Sequence, residues 1–98
     1  MVWVFEDNLR PFLTVLGWVA GYALDADDWE AIATGVRETD AEAGRWYDYE
    51  FAGRHRAAFS LSRDPGTCVV HVRVRVPEEL EPQVRLVADI FAHFRVRE

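Results

Sequence analysis

Ser60 and His71 are the residues from which a nucleophile and a general base could be assembled. Asp48 or Glu50 would stand one strand away as the acid that orients the base. Alternation along two neighbouring strands places Ser60 opposite His71 on the polar face of a hairpin. A hydrolase also needs oxyanion donors and an enclosed pocket, and no Gly-rich loop supplies the donors. A solvated polar pair explains the same two residues with fewer requirements. Cys68 and His71 invite a thiol–imidazole dyad, but an odd separation on a strand sends the two side chains to opposite faces. Cys68 is therefore expected to be a small buried hydrophobe.

His55, His71 and His93 lack the local spacing of zinc ligands, so no metal site and no cofactor is expected. All 11 basic residues are Arg, which removes Schiff-base and P-loop lysines from consideration.

Charge is the stronger signal. Residues 1–44 carry nine acids against two Arg, whereas residues 45–76 carry six Arg against three acids. Asp25, Asp27, Asp28 and Glu30 crowd one short stretch, and Asp40 and Glu42 follow. The stretch lacks the central Gly and terminal Glu of a calcium loop. Helix capping accounts for part of it, with Asp27 and Glu30 at capping-box spacing. A surface that steers a basic partner is the functional alternative. Arg54, Arg56, His71, Arg73 and Arg75 form a second candidate surface, a basic stripe on the open sheet face. The net charge of −6 argues against nucleic acid, whose binders neutralise phosphates.

These residues must be positioned by a small antiparallel sheet. Runs of alternating residues span Trp46 to Phe51, His55 to Ser62 and Cys68 to Val76, between turn signals. Asp64-Pro65-Gly66 marks the second turn. A loop from Asp64 to Thr67 pairs Leu61 with Val70, Phe59 with Val72 and Ala57 with Val74. A three-residue first loop, Ala52 to Arg54, pairs Tyr49 with Ala57 and Tyr47 with Phe59. That register turns the aromatics inward and sets Asp48 and Glu50 beside the arginines.

Helical patterns flank the sheet. Phe12, Leu13, Leu16, Val19 and Ala20 form an apolar stripe over Leu9 to Tyr22. Gly17 and Gly21 suit the close passage of a backbone. This helix is apolar round most of its girth, so it is expected to be buried or to form a homodimer. A second stripe joins Trp29, Ile32, Ala33 and Val36, and Thr39 with Glu42 repeats the capping spacing. A third helix, about Glu79 to Phe94, turns Leu80, Val84, Val87, Phe91 and Phe94 to the sheet, with Leu86 and Ile90 flanking. The tail beyond it is extended.

The expected fold is α+β in a single domain. It has two N-terminal helices, a three-stranded antiparallel meander and a C-terminal helix packed on one sheet face. Val2 to Phe5 offers a fourth strand at an edge. The apolar run Pro11 to Leu24 has 14 residues, short of the roughly 20 that span a bilayer. No membrane segment is expected. One Cys and an acidic N-terminal stretch suit the cytoplasm.

The functional expectation is a non-enzymatic protein-interaction module, such as an immunity or antitoxin-type inhibitor of a basic partner. A small-ligand binder is the alternative, with a pocket between helices and sheet near Trp18, Tyr22 and Trp29. A hydrolase built on Ser60 and His71 is the third.

Overall fold

The computed structural model describes residues 1–41, 44–52 and 56–96. Its elements are β1 (Val2–Phe5), α1 (Leu9–Ala20), α2 (Ala26–Ala41), β2 (Tyr47–Ala52), β3 (Arg56–Arg63), β4 (Val70–Arg75), a 3-10 turn (Glu78–Leu80), α3 (Glu81–Phe91) and β5 (Phe94–Val96). The strands form one antiparallel sheet in the order β2-β3-β4-β1-β5.

The fold is α+β, and the sheet has five strands rather than three or four. β1 is not the edge strand expected of it, because it lies between β4 and β5. Its sequence explains the placement. Val-Trp-Val-Phe has no polar alternation, and all four side chains are buried. A strand apolar on both faces belongs inside a sheet.

All three helices cover one face. Phe12, Leu13 and Leu16 of α1, Ile32 of α2, and Val84 and Ala88 of α3 meet Trp3, Phe5, Phe59, Leu61, Val70 and Val72 in one core. Two hydrogen bonds tie α3 to the remote N-terminal segment. Trp3 Nε1 donates to Asp89 (3.0 Å), and Asn8 Nδ2 donates to the Phe91 carbonyl (3.1 Å).

α1 ends where Gly21 takes a left-handed conformation (φ 79°), and the Gly21 and Tyr22 N–H groups both donate to the Gly17 carbonyl (2.8 and 2.9 Å). A Cβ on Gly17 would stand 2.7 Å from the Tyr22 carbonyl oxygen, so the backbone does pass close to this glycine.

α2 runs through Thr39 without the interruption its capping spacing suggested. Thr39 is buried, its hydroxyl donating to the Val36 carbonyl (2.7 Å) and accepting the Arg63 N–H (3.2 Å). It fastens the end of α2 to β3, and Glu42 lies outside the described residues.

α3 stops at Phe91 because the chain then turns into β5, with the His93 N–H donating to the Val4 carbonyl (2.9 Å). Phe94 is thereby moved from the expected helix face onto β5, where it is 59% exposed.

Both hairpins keep the expected alternation but shift by two residues. β3 pairs Leu61 with Val72 and Phe59 with Val74, while β2 pairs Tyr47 with Leu61 and Tyr49 with Phe59. The β3–β4 connection extends to Val69. Its closing bonds are Asp64 N–H to the Val69 carbonyl (3.1 Å) and Thr67 N–H to the Asp64 carbonyl (3.2 Å). Cys68 sits in that loop and is exposed, not buried.

Candidate functional site

The shifted register separates the residues of the catalytic reading. Ser60 lies opposite Arg73, and its hydroxyl donates to Asp48. His71 lies opposite Ser62, and its Nε2 stands 3.2 Å from Asp64. The expected Ser60–His71 cross-strand pair is therefore corrected: two extra loop residues move each partner one pair along. Among the described residues, no group of three His, Cys, Asp or Glu side chains could hold a metal ion.

The open sheet face keeps its basic character in part. The Arg73 guanidinium stacks 3.9 Å from the centre of the Trp46 ring. Arg75 lies 4.0 Å from Glu50, reaching across the small Ala58. A depression of about 390 Å³ is lined by Met1, Asp48, Ser60, Arg73, Val74 and Arg75. Arg54 lies outside the described residues; for Arg56 only the backbone is placed, paired with Ala52. Acids and arginines interleave here, so the surface has no single sign.

The acidic surface is arranged differently. α2 begins with a reciprocal cap. The Asp28 N–H donates to Asp25 Oδ1 and the Asp25 N–H donates to Asp28 Oδ2, each at 2.9 Å. The cap thus stands two residues before the expected Asp27–Glu30 pair, because the helix starts at Ala26. Asp28 also accepts the Tyr49 hydroxyl. That bond, then the Asp25 N–H, holds the Asp28 carboxyl below its ordinary value. Burial, then the Asp28 contact, pushes the Tyr49 phenol up. Asp25 thus caps α2, and Asp28 ties its first turn to β2.

With Asp25 and Asp28 so engaged, Asp27 and Glu30 are left to face a groove. It measures about 420 Å³ and is lined by Asp27, Glu30, Ala31, Thr34, Gly35, Glu38 and Tyr47. Its floor exists because of Gly35. A Cβ there would stand 2.5 Å from the Tyr47 ring, so the missing side chain lets that ring lie against α2. Burial, then the Glu38 charge, raises the Tyr47 phenol above its ordinary value. Three carboxylates and one phenol therefore line a channel between α2 and the outermost strand. Asp27, Glu30 or Ala31, Thr34 and Glu38 recur at helical spacing, a signal that could have drawn Glu38 into the site. Nothing in the sequence pointed to Gly35 and Tyr47, because their contact depends on how α2 crosses β2. The side chain of Asp40 lies outside the described residues.

No protein-family model, curated protein or solved structure matches this chain.

A cavity does lie at Trp18, Tyr22 and Trp29, with Leu13, Thr14, Gly17, Ala23 and Leu24 completing its lining. It sits between α1, the α1–α2 connection and the start of α2, and its lining residues come from none of the strands. Its volume is about 120 Å³, against roughly 300–1,000 Å³ for sites that enclose organic ligands. Among the described residues, no helix is long and apolar enough to cross a membrane.

Proposed function

We propose that this chain is a non-enzymatic protein-interaction module that docks a basic partner along the groove between α2 and β2. The observation that carries this reading is the alignment of Asp27, Glu30 and Glu38 along one open channel beside Tyr47. Carboxylates on one helix face raise the encounter rate with a positive partner and orient it before contact. The groove is preformed, since capping at Asp25 and the Asp28–Tyr49 bond hold its walls. An inhibitor of the immunity or antitoxin type, acting in the cytoplasm on a basic protein, is the most concrete form of this role. The cavity at Trp18, Tyr22 and Trp29 supports the small-ligand reading less well, because its size admits little beyond solvent or a very small molecule.

The test is affinity capture with the wild-type chain and with Asp27→Arg/Glu30→Arg/Glu38→Arg, after circular dichroism has shown both to be folded. A basic protein retained by the wild type and lost by the triple reversal is the expected result. Equal recovery by both chains removes the reading.

A further inference from the structure

The sheet has two edges, and they are unequal. β5 is a strand of three residues, whereas β2 is a strand of six. β2 bonds β3 through an unbroken register from Tyr47↔Leu61 to Ala52↔Arg56, with neither a bulge nor a proline. Among the described residues no strand pairs with its other side. Half of the backbone N–H and C=O groups of a straight edge strand point outward, ready to pair with another chain. Natural edges are blunted by short length, proline, bulges or charge. Among the described residues, β2 uses only charge, through Asp48 and Glu50.

That charge decides what can pair. A second copy meeting β2 about a two-fold axis would set Asp48 and Glu50 against the same carboxylates, and like charges directly opposite destabilise a ladder. A strand carrying cations has the opposite sign of interaction. Glu50 is partly offset by Arg75 at 4.0 Å, but both side chains are about 70% exposed, and such pairs are worth little. The other face of an added strand would lie along the α2 groove, beside Asp27, Glu30 and Glu38.

We propose that β2 is an acceptor edge, to which an extended Arg- or Lys-rich segment of the partner adds as a further strand. Its alternate cations would lie on one face, against Asp48 and Glu50, and its other side chains would lie along the α2 groove. This rests on the reading of the groove as the docking surface for a basic partner, and it specifies how that partner is held. Main-chain hydrogen bonds supply affinity in such strand addition, and alternate side chains supply selectivity.

The probe is a blocked octapeptide of alternating Arg and Thr, titrated into the full chain at low salt. Two further peptides carry N-methyl groups, one on every odd residue and one on every even residue. Charge is the same in all three, and only one set of amides can face β2. One methylated peptide should bind at least about tenfold more weakly, and the other within about twofold of the parent. Alternate amides along Tyr47–Ala52 should gain hydrogen-exchange protection with the parent peptide. Equal affinity for all three peptides overturns strand addition and leaves electrostatic docking standing. No binding by the parent peptide overturns both.

Discussion

α1 and α2 cover the same sheet face and are held there by different physics. α1 presents Phe12, Leu13, Leu16 and Ala20 to the core, all fully buried, and the Phe12 ring stacks 4.7 Å from Phe5. α2 contributes Ile32 as its one buried large apolar side chain among the described residues. Its other attachments are individual contacts: Asp28 with Tyr49, Gly35 with Tyr47, and Thr39 with the Arg63 N–H. Trp29 is half-buried, with the Arg10 guanidinium 4.8 Å from its ring centre. An area-driven contact is insensitive to salt and tolerates few changes of shape. A contact made of single polar bonds leaves most of a helix surface free to present charge. The candidate interface lies on α2 because that helix keeps its outer face free for charge.

The largest expected effect tests the α1 side. Phe12→Ala should destabilise the chain by about 3–5 kcal/mol in denaturant unfolding, the range for deleting a buried aromatic. On the same helix Trp18 is 71% exposed, and Trp18→Ser should change stability by less than about 0.5 kcal/mol. Trp29→Ala should fall between these, near about 2 kcal/mol, because only part of its ring leaves water. If Trp29→Ala costs as much as Phe12→Ala, the two helices are held alike and the comparison fails.

A middle-sized effect sharpens the α2 side. Glycine inside a helix normally gains about 1 kcal/mol on change to alanine. At Gly35 the new methyl would stand 2.5 Å from the Tyr47 ring, so the ring must leave its place. Gly35→Ala should therefore destabilise by about 1–3 kcal/mol, as overpacking does. In a Tyr47→Ala background the same change should stabilise instead, recovering up to about 1 kcal/mol. A double-mutant cycle without that reversal of sign would show that Tyr47 does not rest on Gly35.

The same contrast marks what can be read from the sequence. The hydrophobic alternation of β2, β3 and β4 dictates which side chains face the core. Both hairpins keep that parity, and Tyr47 and Tyr49 turn inward as expected. It does not dictate register, because a slip of two residues returns every side chain to its own face. In the β3–β4 hairpin, loop hydrogen bonds made by Asp64, Thr67 and Val69 settle that slip. The expected Ser60–His71 pairing is lost there, since it depends on register and not on parity. Cys68 was misplaced for the same reason: two more loop residues take it off the strand. β1 was legible as a strand, but its interior position required β5, whose three residues carry little pattern of their own. The acidic character of α2 was plain, and Asp27 and Glu30 do line the groove. The division of labour among the acids was hidden, because it depends on where the helix begins and on a tyrosine contributed by a distant strand. On α3, Leu86 and Ile90 stand 64% and 68% exposed. Their helical spacing places them beside the apolar stripe, and among the described residues no contact accounts for their being apolar.

The smallest effect isolates a single bond of α2. The Tyr49 hydroxyl donates to Asp28, and together with the Asp25 N–H it keeps that carboxyl ionised to lower pH than usual. A carboxyl whose folded value is depressed stabilises the fold above its unfolded value. That contribution is whole above the ordinary value of 3.8 and is lost as pH falls through the depressed folded value. Tyr49→Phe removes the main cause of the depression and leaves the ring in place against Phe59, stacked at 5.5 Å. At neutral pH it should cost from a few tenths to about 1 kcal/mol, since the bond is only partly shielded from water. Well below the ordinary carboxyl range, where Asp28 is protonated in both states, the difference between Tyr49→Phe and the parent should shrink. Asp28→Asn should follow the same course with acid. It should also lose part of the reciprocal cap, because an amide accepts the Asp25 N–H less strongly than a carboxylate. Stability curves for Tyr49→Phe and the parent that stay parallel from neutral pH to well below 3.8 would show that Tyr49 does not tune Asp28. The acidic end of α2 would then owe its place on the sheet to apolar contacts, Trp29 and Ile32 among them, and not to the Asp28–Tyr49 bond.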